Sequence, residues 1–166
     1  MEKIYIRDVS QTDTTRVTEI YNSNPDFLSH HIGKTQVDTA FIQNEFSAMK
    51  SMGFLSCVIA EQQTDKIIGI LDFKQGECTY LSLFMLDSAL HAKGLGTLCY
   101  QLFEKHVMTS GTQAIRIDVV NDYPGNVVPF WRKQGFSVDS PTKLTWGEKC
   151  SDALVMMKNL LCPTFL

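Results

Sequence analysis

Residues 78–106 read CTYLSLFMLDSALHAKGLGTLCYQLFEKH, and this stretch decides the predicted fold. Its first half, Cys78 to Leu86, is rich in aromatic and aliphatic residues and is too short for a typical helix, which predicts a strand. From Lys93 onward the apolar residues recur at helical spacing, at Leu95, Leu98, Cys99, Leu102 and Phe103. The sequence therefore predicts a strand that runs into a helix through a turn containing glycines.

That turn runs from His91 to Gly96. Gly94 and Gly96 have no Cβ atom, so a ligand can approach the backbone closely at both positions. A helix that begins here directs its unpaired N–H groups and the positive end of its dipole into the space beyond the strand. The turn is therefore a candidate anion site, of the kind that binds phosphate groups.

The turn resembles the acyl-CoA-binding turn of the GNAT superfamily of N-acyltransferases, in which Arg or Gln is followed by two residues, Gly, one residue, and Gly or Ala. Here the pattern stands as His91, Gly94 and Gly96, with His at the first position. Residues 130–136, FWRKQGF, resemble the family's downstream helix, which ends in an aromatic pair, Lys and Gly-Phe. The two motifs span Cys78 to Phe136 and follow each other in the family's order.

The resemblance implies an α/β fold, with residues 1–166 forming a single N-acetyltransferase domain. Its mixed central sheet would have about six to seven strands, with helices on both faces. The implied function is transfer of an acetyl group from acetyl-CoA, as cosubstrate, to a primary amine of a small molecule or peptide by direct attack. The residues implied to bind the cofactor are Met85, Leu86, His91, Ala92, Lys93, Gly94, Leu95, Gly96, Thr97, Asn126 and Trp131.

The composition bounds the class of protein. A chain of 166 residues fits one domain, and its net charge of −3 gives no electrostatic reason to bind nucleic acid or an anionic membrane. Its five cysteines are dispersed without a CxxC pair, which predicts reduced thiols and no metal site. The opening residues form no secretion segment, and no apolar run approaches the ~20 residues of a membrane span. We expect a soluble cytoplasmic protein, and homodimerisation is left open.

The other elements are predicted from periodicity and turn residues. They are a strand over 3–9, a helix from Asp13 or Thr14 to Asn24-Pro25, a connecting loop over 27–34, a helix over 36–52, a hairpin over 54–61 and 66–73, a strand over 114–120 parallel to the first, a helix capped by Asn126 and ended by Gly135, a short strand over 136–138, a turn at Ser140-Pro141, a loop holding Thr145-Trp146-Gly147, and a last strand over 150–157. The resemblance implies that His30, His31 and Phe46 face a substrate, but solvated loop histidines and a core phenylalanine are the favoured interpretation.

The proton donor for the leaving thiolate is an open question. Many members of the family have Tyr where Trp131 stands, and an indole N–H has no accessible acid pKa with which to protonate a thiolate. Tyr123, Tyr80 or a water molecule are the alternatives. A thiolate is also a fair leaving group without an acid, since the reference pKa of a thiol is ~8.5.

Three carboxylates are candidates for the general base that takes the ammonium proton through water. Asp72 lies on the predicted hairpin, Glu77 precedes the strand at Cys78, and Asp118 lies on the parallel strand. A surface or turn location is the alternative for each of them.

Two other classes of protein are weighed against the transferase. A Rossmann enzyme requires Gly or Ala where Cys99 stands and carries its fingerprint at the first βα turn, and the chain has no Walker-type Gly-Lys-Ser/Thr. The alternative is a catalytically idle acyl-CoA-binding or partner-binding module, because Trp131 stands where many members of the family have Tyr. The identity of the acceptor amine depends on the shape of the loops at 24–35 and 140–149.

Overall fold

A computed structural model describes residues 3–160. In chain order the elements are β1 (Ile4–Asp8), α1 (Thr14–Asn22), α2 (Pro25–Ile32), α3 (Thr39–Ser51), β2 (Leu55–Glu61), β3 (Ile67–Lys74), β4 (Cys78–Leu86), α4 (Leu95–Met108), β5 (Ala114–Val120), α5 (Val128–Lys133), β6 (Ser137–Trp146) and β7 (Lys149–Asn159). The predicted strand, turn and helix at residues 78–106 are therefore present as β4, the turn and α4.

The strands form one mixed sheet of seven strands in the order β1-β2-β3-β4-β5-β7-β6. Only β4 and β5 run parallel, and the other neighbours are antiparallel. A parallel pair needs a long crossover connection, which α4 supplies. The predicted mixed sheet, and the strand–helix–strand unit at its centre, are confirmed.

Helices cover both faces of the sheet, as predicted. On one face, α1 to α3 bury Val17, Ile20 and Leu28 against the strands. On the other, α4 and α5 bury Phe103 and Trp131 among the opposite side chains of the same strands. Alternate residues of a strand point to opposite faces, so the central strands contribute to both cores.

The parallel pair at the centre is short. β4 and β5 pair only where Cys78, Thr79 and Tyr80 lie opposite the first residues of β5. Beyond Tyr80 the two strands separate, although β4 continues to Leu86 and β5 to Val120. The separation leaves a gap within the sheet, bordered by backbone on both sides.

The connecting loop predicted over residues 27–34 is wrong, because these residues belong largely to α2. Pro25 stands in the first turn, where its missing N–H costs no helical hydrogen bond. Gly33, with a φ of 72°, ends the helix in the left-handed conformation. Both signals are present in the sequence, but Asn24-Pro25 also fits the end of the preceding helix, and that interpretation leaves no helix to begin at Pro25.

The predicted short strand over 136–138 and the turn at Ser140-Pro141 are also wrong, since β6 runs without a break from Ser137 to Trp146. β6 is an edge strand that pairs only with β7, and its register shifts between Val138 and Ser140. Proline is tolerated on edge strands and beside bulges because no ladder hydrogen bond is lost there. Trp146, predicted to lie in a loop, is thus the last residue of a strand.

Some of the sequence predictions concern residues near the two ends of the chain. Met1, Glu2 and Cys162 lie outside the described residues. Within residues 3–160, the four cysteines are unbridged, and no His, Cys, Asp or Glu cluster is arranged to hold a metal ion. None of the helices in this range is long and apolar enough to cross a membrane.

Gly69 should be the least replaceable glycine of the sheet. A Cβ at this position would lie 2.4 Å from Leu86 Cδ2 and 2.9 Å from the Met85 carbonyl oxygen, which is backbone and cannot turn away. We expect Gly69→Ala to lower the free energy of unfolding by about 1–3 kcal/mol in urea denaturation. Gly76→Ala is the control, because its Cβ would approach nothing closer than 3.4 Å. Equal stability of the two variants would contradict this packing argument.

Candidate active site

The turn before α4 is held in a conformation that exposes its backbone. Ala92 and Gly94 both have left-handed backbones, with φ values of 60° and 75°. The backbone N–H groups from Lys93 to Thr97 make no hydrogen bond to any residue in the range 3–160. Several free donors at the positive end of a 14-residue helix fit a phosphate group.

The two glycines of the turn are needed for different reasons. Gly94 is required by its φ, and a Cβ there would meet nothing within 4 Å, so the space in front of it is open. Gly96 is required by packing, because its Cβ would lie 3.3 Å from the ring of Phe130. The side chain of Thr97 is bound by α5, since its Oγ1 accepts a hydrogen bond from Gln134 at 3.1 Å. His91 and Lys93 are exposed.

Backbone groups of β4 border the gap. The N–H of Asp87 donates to Ile68 of β3 at 2.9 Å, so the alternate residue Met85 also directs its backbone toward β3. Phe84 and Leu86 therefore direct theirs toward β5. The Leu86 carbonyl already accepts the side-chain amide of Asn24 at 2.9 Å. Within residues 3–160, the backbone of Phe84 and the N–H of Leu86 face the gap with no partner.

A cavity of about 300 Å³ lies at this gap and is lined from both faces of the sheet. On the side of α4 and α5 its lining is apolar, with Phe84, Ile117, Val119, Val127 and Trp131. On the side of α1 to α3 the lining includes the polar side chains of His31, Glu45, Asp72, Tyr80 and Asp118. The gap thus joins an apolar compartment to an acidic one.

Asp72 is the buried carboxylate of the cavity. It is 4% exposed, and its Oδ1 is buried without a hydrogen-bond partner within residues 3–160. Burial raises the pKa of Asp72 to about 6, the hydroxyl of Ser56 opposes this shift, and the negative charge of Glu45 adds to it. A carboxylate with this pKa is ionised at neutral pH, yet is basic enough to accept a proton.

Asp118 also lines the cavity, but its oxygens are already bound. Arg116 Nε lies 2.9 Å from Asp118 Oδ1, and the Tyr80 hydroxyl donates to Oδ2 at 3.3 Å. Burial, followed by the charge of Asp118, raises the pKa of Tyr80 to about 12. Tyr80 is therefore a hydrogen-bonded, weakly acidic phenol.

Glu45 and Trp146 are lining residues that sequence reasoning missed. The indole N–H of Trp146 donates to Glu45 Oε2 at 3.1 Å, which joins α3 to the end of β6. Burial raises the pKa of Glu45, and this hydrogen bond opposes the shift. The two residues are 101 positions apart, and no local pattern in the sequence relates them.

The α2 helix supplies one wall of the acidic compartment. His31 lines the cavity, and its Nδ1 lies 2.8 Å from the Phe27 carbonyl oxygen, so Nδ1 carries the proton and Nε2 is an acceptor. Burial lowers the pKa of His31. His30 instead stacks on Tyr123, with ring centroids 3.9 Å apart. Phe46 packs into the core, as the favoured interpretation has it.

Tyr123 lies beside the cavity rather than in its lining. The chain folds it against both histidines of α2, and its centroid is 6.4 Å from that of His31. Its hydroxyl has no hydrogen-bond partner within the described range, and burial raises its pKa. Tyr123 therefore stays protonated at neutral pH.

Trp131 is a core residue that also reaches the cavity. It is 6% exposed and makes edge contacts with Phe84, Tyr100 and Phe136. Asn126 supports the start of α5, since its Oδ1 accepts the Val128 N–H at 3.2 Å. Its amide donates to the Tyr123 carbonyl at 3.0 Å, so the side chain fixes the loop.

Glu77 lies apart from the other candidates. It is exposed and precedes β4 at the end where β4 and β5 are still paired. Its carbonyl oxygen accepts the N–H groups of Gln113 and Ala114, and its side chain does not line the cavity.

The chain matches the family described as acetyltransferase (GNAT) domain over residues 26–150. No curated protein sequence matches it. Among solved structures, it is similar to an acetyltransferase from Thermus thermophilus, with a TM-score of 0.75 and 17% identity over 96% of this chain and 100% of the other. It is also similar to the PaiA N-acetyltransferase from Thermoplasma acidophilum in complex with coenzyme A, with a TM-score of 0.66 and 20% identity over 95% and 99% of the two chains.

A third similar structure is the ribosomal-protein-S18-alanine N-acetyltransferase from Escherichia coli, with a TM-score of 0.68 and 12% identity over 99% of both chains. At these identities the structures support the fold alone. The family match covers more than half of the sequence and confirms acetyl-CoA as the expected cosubstrate. The chain belongs to the GNAT family of acetyltransferases.

Proposed function

We propose that the protein is an N-acetyltransferase that transfers the acetyl group of acetyl-CoA to a primary amine by direct attack. The observation that carries the proposal is Asp72, a buried carboxylate with an unpaired oxygen, in a cavity that opens into the gap between β4 and β5. A carboxylate is costly to bury without a partner, and Asp72 is also one of the residues that line the cavity.

The residues that hold acetyl-CoA lie in the turn before α4 and along the gap between β4 and β5. The free N–H groups of Lys93 to Thr97 bind the pyrophosphate, and the backbone of Phe84 binds the pantetheine arm. Trp131 offers apolar area to the end of that arm. The bound cosubstrate supplies an activated thioester carbonyl to the gap. The sequence predicts that Met85 binds the cosubstrate. In this proposal Phe84 binds the pantetheine arm instead, because the backbone of Met85 is directed to β3.

Asp72 prepares the nucleophile from the opposite side of the sheet. An amine reaches the acidic compartment as an ammonium ion, and the ionised carboxylate takes its proton, directly or through water. The neutral nitrogen then forms the bond to the carbonyl carbon as the carbon–sulfur bond breaks. The electron pair of that bond leaves on the thiolate, and the nitrogen loses its second proton to water as the amide forms.

Tyr123 is the proposed donor of a proton to the thiolate. Its hydroxyl is free and protonated, whereas that of Tyr80 is bound to Asp118. Trp131 occupies the position at which a Tyr would stand, and its indole lies in the aromatic core. An acid is not strictly required, since the thiolate is a fair leaving group, so its contribution is expected to be modest.

Asp72→Asn should lower kcat at least 100-fold and leave the affinity for CoA unchanged, because the amide cannot accept the ammonium proton. In the wild type, kcat/KM should fall as the pH falls through about 6, since protonation abolishes the base. The measurement is thiol release from acetyl-CoA with a panel of amines from pH 5 to 8.

The matched control is Glu77→Gln, a change to a carboxylate outside the cavity. Its kcat should equal that of the wild type. A loss of turnover in Glu77→Gln, with Asp72→Asn fully active, would reject Asp72 as the base and assign the role to Glu77.

Tyr123→Phe should lower kcat about tenfold and leave KM for acetyl-CoA unchanged, because only the donated proton is lost. Tyr80→Phe is the comparison variant, and it should retain more activity because its hydroxyl is already bound to Asp118. Steady-state kinetics of both variants test this. A larger loss in Tyr80→Phe would transfer the role of acid to Tyr80.

Gly94→Val should weaken CoA binding at least tenfold, or about 1.4 kcal/mol, because the side chain enters the open space before the free N–H groups. Gly111→Val, at the other end of α4, is a close control. Both glycines have left-handed φ values, 75° and 87°, and neither Cβ would meet an atom within 4 Å, so both variants carry similar backbone strain. Calorimetry in which both variants bind CoA equally well would contradict the phosphate site.

A further inference from the structure

The charges around the acidic compartment limit which acceptor molecules can bind there. Three carboxylates line the cavity, those of Glu45, Asp72 and Asp118, and its lining within residues 3–160 contains no Lys or Arg. An acceptor that brings its own carboxylate would place it against like charge, with no cation available to pair with it. The cavity therefore selects against amino acids and other zwitterions.

Two of the three carboxylates are already engaged within the protein. Asp118 forms an ion pair with Arg116, and Glu45 accepts the indole N–H of Trp146. Asp72 is the lining carboxylate with a buried, unpaired oxygen. Asp72 is thus the lining carboxylate that is left to pair with an ammonium group, and a single such partner selects against polyamines with several cationic centres.

The rest of the acidic compartment is apolar and partly aromatic. The rings of Phe27 and Trp146 lie edge to face, with centroids 6.4 Å apart, and both line the cavity. Met49 and Met52 line it from α3, and Met52 is 51% exposed. Flexible methionines and aromatic rings suit the binding of an apolar body of irregular shape.

The size of the cavity favours a small molecule over a peptide. Its volume of about 300 Å³ lies at the lower end of the range for small-molecule sites, which is roughly 300–1,000 Å³. Part of this space is taken by the acyl end of the cosubstrate, so little room is left for a chain of several residues.

We infer that the acceptor is a small primary monoamine with an apolar or aromatic body and no carboxylate. This inference rests on the proposed function, because it assigns the amine to the same site. The ammonium group lies against Asp72, and the body lies between Phe27, Trp146 and the α3 methionines.

Binding of matched ligand pairs tests the inference independently of turnover. The pairs are tryptamine with tryptophan and phenethylamine with phenylalanine, each differing by one carboxylate, and spermidine is the polyamine probe. In calorimetry of the full chain with CoA present, we expect the two amines to bind at least tenfold more tightly than the amino acids and spermidine. Equal or tighter binding of an amino acid or spermidine, or no binding of either amine, would overturn the inference.

A pair of methionine variants tests the location of the apolar body. Met52→Arg places a cation at the wall of the compartment and should weaken tryptamine binding at least fivefold. Met108→Arg is the control, because Met108 is similarly exposed, at 47%, and lies at the end of α4. Equal tryptamine affinity in the two variants would overturn the assigned location.

The same ligands separate this inference from the proposed function. Tryptamine that binds selectively but is not acetylated, with other amines also unchanged by the protein, supports the inference on ligand class and rejects the transferase. Acetylation of amino acids in preference to the matched amines retains the transferase and rejects the inference.

Discussion

The central constraint of the structure is that β4 and β5 separate after Tyr80. A parallel pair in the middle of a sheet is normally sealed by its ladder of hydrogen bonds. Here the ladder ends after three residue pairs, and the gap carries unpaired backbone groups that need partners. The Asn24 amide satisfies the Leu86 carbonyl. A pantetheine arm with its two amides is a suitable partner for what remains.

The gap also bears on how the two substrates of the proposed reaction would meet. The helices α4 and α5 lie on one face of the sheet and α1 to α3 on the other, so an opening through the sheet joins two different environments. The apolar compartment contains Trp131, whereas the acidic compartment contains Asp72. In the proposed reaction the thioester and the amine would therefore approach each other from opposite faces of the sheet.

The sequence predicted the central unit well because its signals are local. The strand, turn and helix at residues 78–106 are encoded by composition, helical spacing and two glycines. The α2 helix was missed although Pro25 and Gly33 mark its ends, since a short helix between turn residues resembles a loop. The length of β6 was missed because Pro141 favours a turn, and only its position at the sheet edge makes it compatible with a strand.

The candidate site was predicted unevenly for a related reason. Asp72 was named among three carboxylates, but only burial distinguishes it from Glu77, and burial depends on the whole sheet. Glu45 and Trp146 meet across 101 residues of sequence, so neither was foreseeable from a local pattern. The turn that is predicted to bind the cofactor lies within one continuous segment, and for this reason its residues are predicted together.

The most direct test of this account is a crystal structure of the protein with CoA. We predict that the pyrophosphate lies at the N–H groups of Lys93 to Thr97 and that the thiol enters the gap between Phe84 and Val119. The molecule has a second groove, lined by Lys3, Leu98 and Lys105, with two lysines that suit phosphate. CoA bound in that groove, with the gap between β4 and β5 empty, would contradict the account.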